Sequence, residues 1–387
     1  MVKAGTENRK KIKHQLQILL IIFLLLIIGF LIGFFLADYI SSLVESERST
    51  GEILLVIGSI LTSIYTAVFL QIILHEAGHL LFGWMTGYQF LSFRIGSFIW
   101  LKKDEGIKFG RFKLAGTAGQ CLMQPPNMKN GRIPYVLYNL GGSIINIFSA
   151  AISIILFFTC SNNQFLAILF ILIAVVGIIF GLLNGIPLQL GQVNNDGYNA
   201  LSLGKNLEAM RAFWIQLKVS EQIAKGVRLK DMPDEWFTLP SPKSLKNAVI
   251  AVIGVFACNR MMDAGELEKA DEAMVKLLQI DTGIVDLHRC LLVVDQIYCE
   301  LVNKNRRECL DKLLTKQQKK FMQSMKSFPS VLRTKYTYAL LKEKDENQAS
   351  NIKSAFDKIA RNYPYPQEIV SEQELMEYAE EIYKNSC

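Results

Sequence analysis

The stretch Leu74-His75-Glu76-Ala77-Gly78-His79-Leu80 begins at the last residue of an uncharged run, 53–74. The rest of the chain can be interpreted from this stretch. The run is long enough to cross a hydrocarbon core of about 30 Å at about 1.5 Å per helical residue. Residues four apart share a helix face, so His75 and His79 can bind one metal ion. Glu76 stands beside them, where its carboxylate can accept a proton from water that the metal activates. The stretch therefore predicts a metal site at the end of a membrane-spanning helix.

A chance coincidence is the alternative explanation of this pattern. The chain has four histidines, and two of them fall here with a glutamate at the end of an apolar run. Ionisable residues at membrane depth are costly unless they are paired or bound, so they are functional by default. We therefore interpret His75, Glu76 and His79 as functional residues.

The composition indicates a membrane part and a soluble part. The chain has 387 residues, of which 51% are hydrophobic and 20% are charged, more apolar than an average soluble domain. Its net charge of +7 lies mostly in segments expected to be cytoplasmic, so it indicates membrane topology and not a nucleic-acid partner. The seven cysteines are odd in number and include no CxxC pair, which indicates neither a disulfide framework nor a cysteine zinc ribbon.

Four transmembrane helices are predicted from the apolar runs, at about 18–37, 53–86, 135–159 and 165–183. The basic segment 1–14 precedes the first of them, so the positive-inside rule places the N-terminus in the cytoplasm, and four crossings return the C-terminus there. No small-residue cleavage site follows the first run, which we expect to remain as an anchor. We expect a multi-pass protein of a bacterial cell membrane, with a membrane domain at 15–204 and a cytoplasmic domain at 205–387.

The expected fold class is an all-α membrane protein with a small membrane-associated β-hairpin and a soluble domain of α-helical hairpin repeats. Two β-like runs, 90–101 and 107–114, are separated by a turn-prone segment and predict the hairpin. Beyond residue 205, helical patterns pair in a way that resembles tetratricopeptide repeats and predicts a surface for a cytosolic protein partner. The expected pairs are 245–262 with 266–278, 285–302 with 306–325, and 331–344 with 349–361.

A stripe of small and polar residues marks one face of the third predicted span. Such a stripe in lipid is typical of close packing against another helix, which explains most of it. Asn146 could in addition point at the metal site. The stripe consists of Asn139, Gly142, Asn146, Ser149 and Ser153.

A catalytic zinc site normally has three protein ligands, so the two histidines need a third. His14 and His288 lie before the first span and deep in the soluble part, where topology places them poorly. Pro187 ends the fourth span, because proline removes a backbone donor and disfavours helix at the preceding residue. The chain beyond this break carries Asp196 on the same side of the membrane as the two histidines.

These motifs resemble those of the site-2 protease family of intramembrane zinc metalloproteases over roughly residues 53–204. The family pairs HExxH at the end of one span with Asn-x-x-Pro and Asp-Gly near another, and a Gly-rich motif ending in Asn lies on a third helix. The matching segments here are His75-Glu76-Ala77-Gly78-His79, Asn184-Gly185-Ile186-Pro187, Asp196-Gly197 and Gly141-Gly142-Ser143-Ile144-Ile145-Asn146. The interval from Pro187 to Asp196 is longer than the family's usual one, and Asn195 replaces its common leucine.

The resemblance implies that His75, His79 and Asp196 bind Zn²⁺ and that Glu76 is the general base. Asn184 would position the substrate, and either Asn146 or Asn184 would donate to the oxyanion. The expected reaction is hydrolysis of peptide bonds in a membrane protein or peptide substrate, beside membrane lipid. An exposed edge of the hairpin would hold the unwound substrate by strand addition.

Two alternatives to this hypothesis remain. One is a different class of protein, and the other is a protease with a different third metal ligand. The chain could be a catalytically inactive membrane-anchored scaffold that binds partners through its C-terminal helices. Retention of Glu76 argues against this, because a site that only binds metal needs no base. Another type of membrane zinc protease takes its third ligand from a glutamate on a helix, but that type has more spans than the four expected here.

Overall fold

The computed structural model describes residues 49–386 except 104–105, 113–116, 161 and 191. Before residue 49 it describes a few isolated helical positions, which are Leu19, Phe23, Leu26, Gly29, Phe30, Gly33, Phe34 and Ala37. The predicted basic segment 1–14 and, apart from those positions, the predicted span 18–37 lie outside the described residues.

Three helices in the described part of the chain are long and apolar enough to cross a membrane. They are α1 (Thr50–Met85), α2 (Val136–Thr159) and α3 (Gln164–Gly185), close to the spans predicted at 53–86, 135–159 and 165–183. Ser49 and Glu52 form a capping box that starts α1 three residues before the apolar run. Helix α2 packs against both other helices, and α1 also contacts α3.

The connection between α1 and α2 forms a small antiparallel sheet, as predicted, but with four strands instead of two. The strands run in the order β3-β2-β1-β4. The predicted strand 90–101 is two strands because Gly96, at φ +58°, turns the chain in its middle. The strand bounds are Gln89–Ile95 for β1, Phe98–Lys103 for β2, Gly106–Arg111 for β3 and Gly119–Gln124 for β4.

Helix α3 ends at Gly185, before Pro187, and a short hairpin follows. Strand β5 (Gln189–Leu190) pairs with β6 (Val193–Asn194), and α4 (Asp196–Ser202) begins directly afterwards. The backbone N–H of Asn195 donates to the carbonyl of Leu188 at 3.1 Å, which closes the hairpin. The long interval between Pro187 and Asp196 is therefore folded back on itself.

The remaining described chain is helical. The first predicted helix pair corresponds to α6 and α7, whereas the predicted helix 306–325 is two short helices. Thr315 interrupts it, because its side chain accepts from the backbone N–H of Gln318 and caps a new helix. Tetratricopeptide-like repetition stays a prediction. The helices are α5 (Leu207–Ala224), α6 (Ala248–Asp263), α7 (Leu267–Gln279), α8 (Asp286–Asn303), α9 (Arg307–Leu313), α10 (Lys316–Ser324), α11 (Pro329–Tyr338), α12 (Glu346–Ala360) and α13 (Pro366–Ser386).

One hydrophobic cluster joins the sheet, α2 and the first helices of the C-terminal part. Tyr88, Met123 and Tyr138 are buried in the same cluster as Met210 and Ile250. Residues on both sides of the predicted domain boundary at 204 therefore share one core, which fixes the helical part against the sheet.

Candidate metal centre

Three potential metal ligands meet where α1, α2 and α4 come together. His75 and His79 lie one turn apart on α1, and Asp196 is the first residue of α4. The Nε2 atoms of the two histidines are 3.2 Å apart, and Asp196 Oδ2 lies 3.2 Å from His75 Nε2 and 3.4 Å from His79 Nε2. Ligand bonds of about 2.05 Å in a tetrahedral site place ligand atoms about 3.3 Å apart. The triangle thus has the dimensions of one face of a zinc coordination tetrahedron.

Hydrogen bonds behind the histidines determine which ring nitrogen carries the proton. His79 Nδ1 lies 2.7 Å from the carbonyl oxygen of Tyr138, which can only accept. His75 Nδ1 lies 2.7 Å from Asn146 Oδ1, which also accepts. Both Nδ1 atoms therefore donate, and both Nε2 lone pairs face Asp196. Atoms at these distances share either a proton or a bound cation, and the dimensions of the triangle fit a divalent metal ion.

Asn146 is held in a buried network with Gln71, which lies one turn before His75 on α1. The Asn146 amide donates to the Gln71 carbonyl at 2.9 Å and to Gln71 Oε1 at 2.7 Å. Gln71 Nε2 donates in turn to Ser149 Oγ and to the carbonyl of Ile173, both at 2.9 Å. Both amide hydrogens of Asn146 are thus used, which leaves none for an oxyanion. The side-chain oxygen of Asn146 orients His75. No amide hydrogen of Asn146 remains free for the expected hydrogen bond to the substrate.

The α1–α2 interface brings the two backbones very close beside the histidines. A Cβ built on Gly78 would lie 2.3 Å from the carbonyl oxygen of Gly141, and one on Gly142 would lie 2.5–2.7 Å from the ring atoms of His75. The small and polar face predicted for 135–159 therefore meets α1, with Gly142 against His75 and Asn146 beneath it. Close packing and histidine placement share this one face.

Asn195 and Gly197 fix the position of Asp196. The Asn195 side chain donates to the carbonyls of Leu183 and Ile186, both at 2.6 Å, and accepts from the backbone N–H groups of Leu188 and Tyr198, both at 2.9 Å. The Cα of Gly197 is so close to α3 that a Cβ there would lie 2.1 Å from the Gly185 carbonyl oxygen. Asn195, noted from sequence only as a departure from the family pattern, therefore ties the end of α3 to the start of α4.

The side chain of Glu76, on α1, lies beside Gly119, the first residue of β4. Its carboxyl group is buried, and a Cβ on Gly119 would lie 2.6 Å from Glu76 Oε1. The buried guanidinium of Arg94 on β1 donates to the carbonyl of Gly96 at 2.6 Å and to that of Gly119 at 3.3 Å, and it interacts electrostatically with Glu76. Burial lowers the pKa of Arg94, and Glu76 counteracts this. Sequence reasoning assigned neither Arg94 nor Gly119 to the site.

Asn184 lies at the end of α3, and its amide donates back to the Phe180 carbonyl at 3.1 Å. It makes no hydrogen bond to the ligand triangle among the described residues, so its expected substrate role stays a prediction. His288 is on α8 in the helical part, away from the triangle. Within the part of the chain that the structure describes, His75, His79 and Asp196 form the group of His, Cys, Asp and Glu side chains that could hold a metal ion.

Comparison of the chain with protein-family models, curated proteins and solved structures found no match. The function of the site is therefore argued from its residues and their geometry.

Proposed function

We propose that this protein is an intramembrane zinc metalloprotease that hydrolyses peptide bonds of membrane-embedded or membrane-associated proteins. The observation that carries the proposal is the ligand triangle of His75, His79 and Asp196, with edges of 3.2–3.4 Å. Its supports are the oriented histidines, the carboxylate of Glu76 in the next position, and the location of these three residues in the C-terminal third of the apolar helix α1.

Zn²⁺ bound to the three ligands would act as a Lewis acid that acidifies water and polarises the scissile carbonyl. Glu76 would accept the proton of the water that adds to the carbonyl carbon, and would pass it to the amine as the C–N bond breaks. Its burial against Gly119 keeps bulk water away from the carboxylate. The guanidinium group of Arg94 lies near Glu76 and interacts electrostatically with its carboxylate.

The substrate must be unwound before cleavage, because a helix hides its carbonyls in hydrogen bonds. The sheet offers an edge for this purpose. Strand β4 begins at Gly119, beside Glu76, and among the described strands it pairs with β1 alone. A substrate strand added to the outer edge of β4 would run past Glu76, which favours this edge over that of the distant β3.

The substitution Glu76→Gln tests the proposal, because it removes the base and retains the side-chain volume and all three metal ligands. We expect the purified parent and variant proteins to contain equal, stoichiometric zinc by elemental analysis. Loss of a general base typically costs 10²–10⁴-fold in rate. In cells, mass spectrometry of membrane proteins should find cleaved fragments with the parent protein and the uncleaved proteins bound to the variant.

The same experiment separates the protease from the inactive scaffold. A scaffold would give identical membrane-protein fragments with the parent and the Glu76→Gln protein, and that result would refute the protease. Zinc absent from both proteins would refute the metal site itself. The glutamate-ligand type of protease gains no support, since the described metal-binding group contains Asp196 and no glutamate.

A further inference from the structure

The helical part contains a partly open cavity of about 280 Å³ between α6, α8, α11 and α13, and none of the candidate metal ligands lines it. Its volume is close to the lower end of the range of small-molecule pockets, about 300 Å³, which suits a ligand the size of one amino acid. Many of its lining side chains are charged or polar. They include Arg228, Asp263, His288, Asp295, Arg333, Tyr363, Glu368 and Glu372.

The cations of the cavity wall are already paired. Arg228 donates to Asp263 at 2.7 Å and also to Glu374, a residue of the neighbouring surface. Arg333, whose side chain is only 2% exposed, bonds Asp295 and lies 3.1 Å from Glu372. The wall therefore holds two guanidinium groups against four carboxyl groups, those of Asp263, Asp295, Glu368 and Glu372. An anionic ligand would find both guanidinium groups already paired with carboxylates, whereas a cationic ligand would find more carboxyl groups than guanidinium groups.

The wall also contains polar atoms that lack hydrogen-bond partners. Ten buried side-chain nitrogen or oxygen atoms are in this state among the described residues, and three of them belong to this wall. They are His288 Nδ1, Arg333 Nε and Glu372 Oε2, the last of which faces Arg333 without hydrogen-bond geometry. Such groups are rare in a finished core, since each costs free energy. Water or a ligand must satisfy these atoms, because the chain supplies no partner for them.

Glu368 and Glu372 lie one turn apart on α13. Of the acidic side chains in the wall, theirs have the weakest interactions to offset the cost of burying a charge. Burial raises the pKa of each to about 7, although a hydrogen bond with Tyr363 lowers that of Glu368 and the charge of Arg333 lowers that of Glu372. A carboxylate that resists ionisation in this way gains most when a positive charge is brought beside it.

We propose that this cavity is a binding site for a ligand with a guanidinium or ammonium group, held by the carboxylates of Glu368 and Glu372. A free cationic amino acid and the basic residue of a peptide share this chemistry. Binding at this site does not depend on the proposed protease activity, so it can be tested on the inactive protein.

The probes are L-arginine and the peptide acetyl-Gly-Arg-Gly-amide, titrated by calorimetry into detergent-solubilised full-length protein carrying Glu76→Gln. L-citrulline, which has nearly the shape of arginine without its charge, is the matched ligand control. We expect saturable binding of at least one arginine probe and at least tenfold weaker binding of citrulline. Binding of the peptide alone would identify a peptide site, and binding of free arginine alone would identify an amino-acid site.

Glu368→Gln should weaken binding of the arginine probe at least tenfold. Glu377→Gln, an exposed position on the same helix, should leave it unchanged. Thermal unfolding of both variants verifies that they are folded, and Glu372→Gln provides a second variant if Glu368→Gln is not. The proposal is overturned if neither arginine probe binds, which would mean a water-filled void only, or if binding is the same in folded Glu368→Gln and Glu372→Gln proteins.

Discussion

At the scale of single residues, the candidate metal centre depends on side chains outside the ligand triangle. Asn146 and Gln71 orient the ring of His75, and the Tyr138 carbonyl orients that of His79. Partners of this kind fix the tautomer and raise the basicity of a histidine ligand. The function of Asn146 is therefore exercised through His75, as a positioning residue.

Asn146→Leu should lower zinc affinity about 10–100-fold, the usual cost of removing a group that orients a metal-binding histidine. The leucine has a similar volume but no acceptor for His75 Nδ1 and no donor for Gln71. Competition with a chelator of known affinity measures the effect. Ser153→Ala, two turns further along the same face of α2, is the matched control and should bind zinc as the parent does. Unchanged zinc affinity in Asn146→Leu would show that the hydrogen bond does not position His75.

Gly142→Ala should displace the ring of His75, because the new methyl group would lie 2.5–2.7 Å from it. We expect loss of most bound zinc and a destabilisation of about 1–3 kcal/mol, as for other overpacked sites. Elemental analysis and thermal unfolding measure the two effects. Gly58→Ala on exposed α1 surface, where nothing lies within 4 Å of the added Cβ, should be neutral or slightly stabilising. If both variants retain full zinc, the close approach at Gly142 is not required for the site.

At the scale of elements, the break after α3 shows what the sequence could and could not predict. Pro187 predicted the end of the helix, because proline has no backbone N–H to donate and its ring disfavours helical geometry at the preceding residue. Asp196 was predicted as the third ligand, but the path of the chain to it was not predictable, because it depends on a hairpin with only two residues in each strand. Asn195 makes four hydrogen bonds there, to groups spread from Leu183 to Tyr198. Side-chain bonds of this kind have no periodic signal.

The sheet illustrates the same limit. Alternation of apolar residues predicted β structure at 90–101 and 107–114, but alternation alone does not show a turn within a run. The turn at Gly96 requires a positive φ. Glycine can adopt a positive φ but does not have to, so its presence alone does not predict a turn. Strand β4 escaped prediction because its sequence, Gly119–Gln124, is short and weakly patterned. The long apolar helices were predictable because their signal is summed over about 20 residues each.

Asn195→Leu introduces the residue that is common at this position in the site-2 protease family, which this chain resembles. In this chain the substitution should lower stability and zinc affinity. Two backbone carbonyls and two backbone N–H groups would lose their partner. We expect a destabilisation of about 2–3 kcal/mol and weaker zinc binding through displacement of Asp196. Asn199→Ala on the same short helix removes one long hydrogen bond of 3.4 Å and is the control. Parent-like unfolding and zinc binding in Asn195→Leu would mean that the hairpin positions Asp196 unaided.

At the scale of the whole molecule, the helical part touches the sheet that carries the groups beside Glu76. The ring of Phe112 packs edge-on against Tyr363 and Tyr365, at centroid distances of 5.6 Å and 5.7 Å. Lys103 at the end of β2 donates to the carbonyl of Ala224, the last residue of α5, at 2.9 Å. Tyr363 also lines the cavity of the helical part. A continuous set of contacts thus joins that cavity to β1, where Arg94 lies near Glu76.

Binding of a ligand in the cavity should therefore change the stability of the sheet. Occupancy would order the segment from Tyr363 to Glu368, and this segment contacts Phe112, which directly follows β3. We expect saturating arginine probe to slow amide hydrogen exchange in β1 and β4, measured by mass spectrometry on the Glu76→Gln protein. Phe112→Ala should reduce this protection and leave probe binding intact, because Phe112 does not line the cavity, whereas Tyr365 still bonds Ser92 on β1. Unchanged exchange in the sheet at saturation would show that the cavity and the metal centre are energetically independent. A change of similar size in Phe112→Ala would place the coupling on another route, with the Lys103–Ala224 contact as the next to be removed.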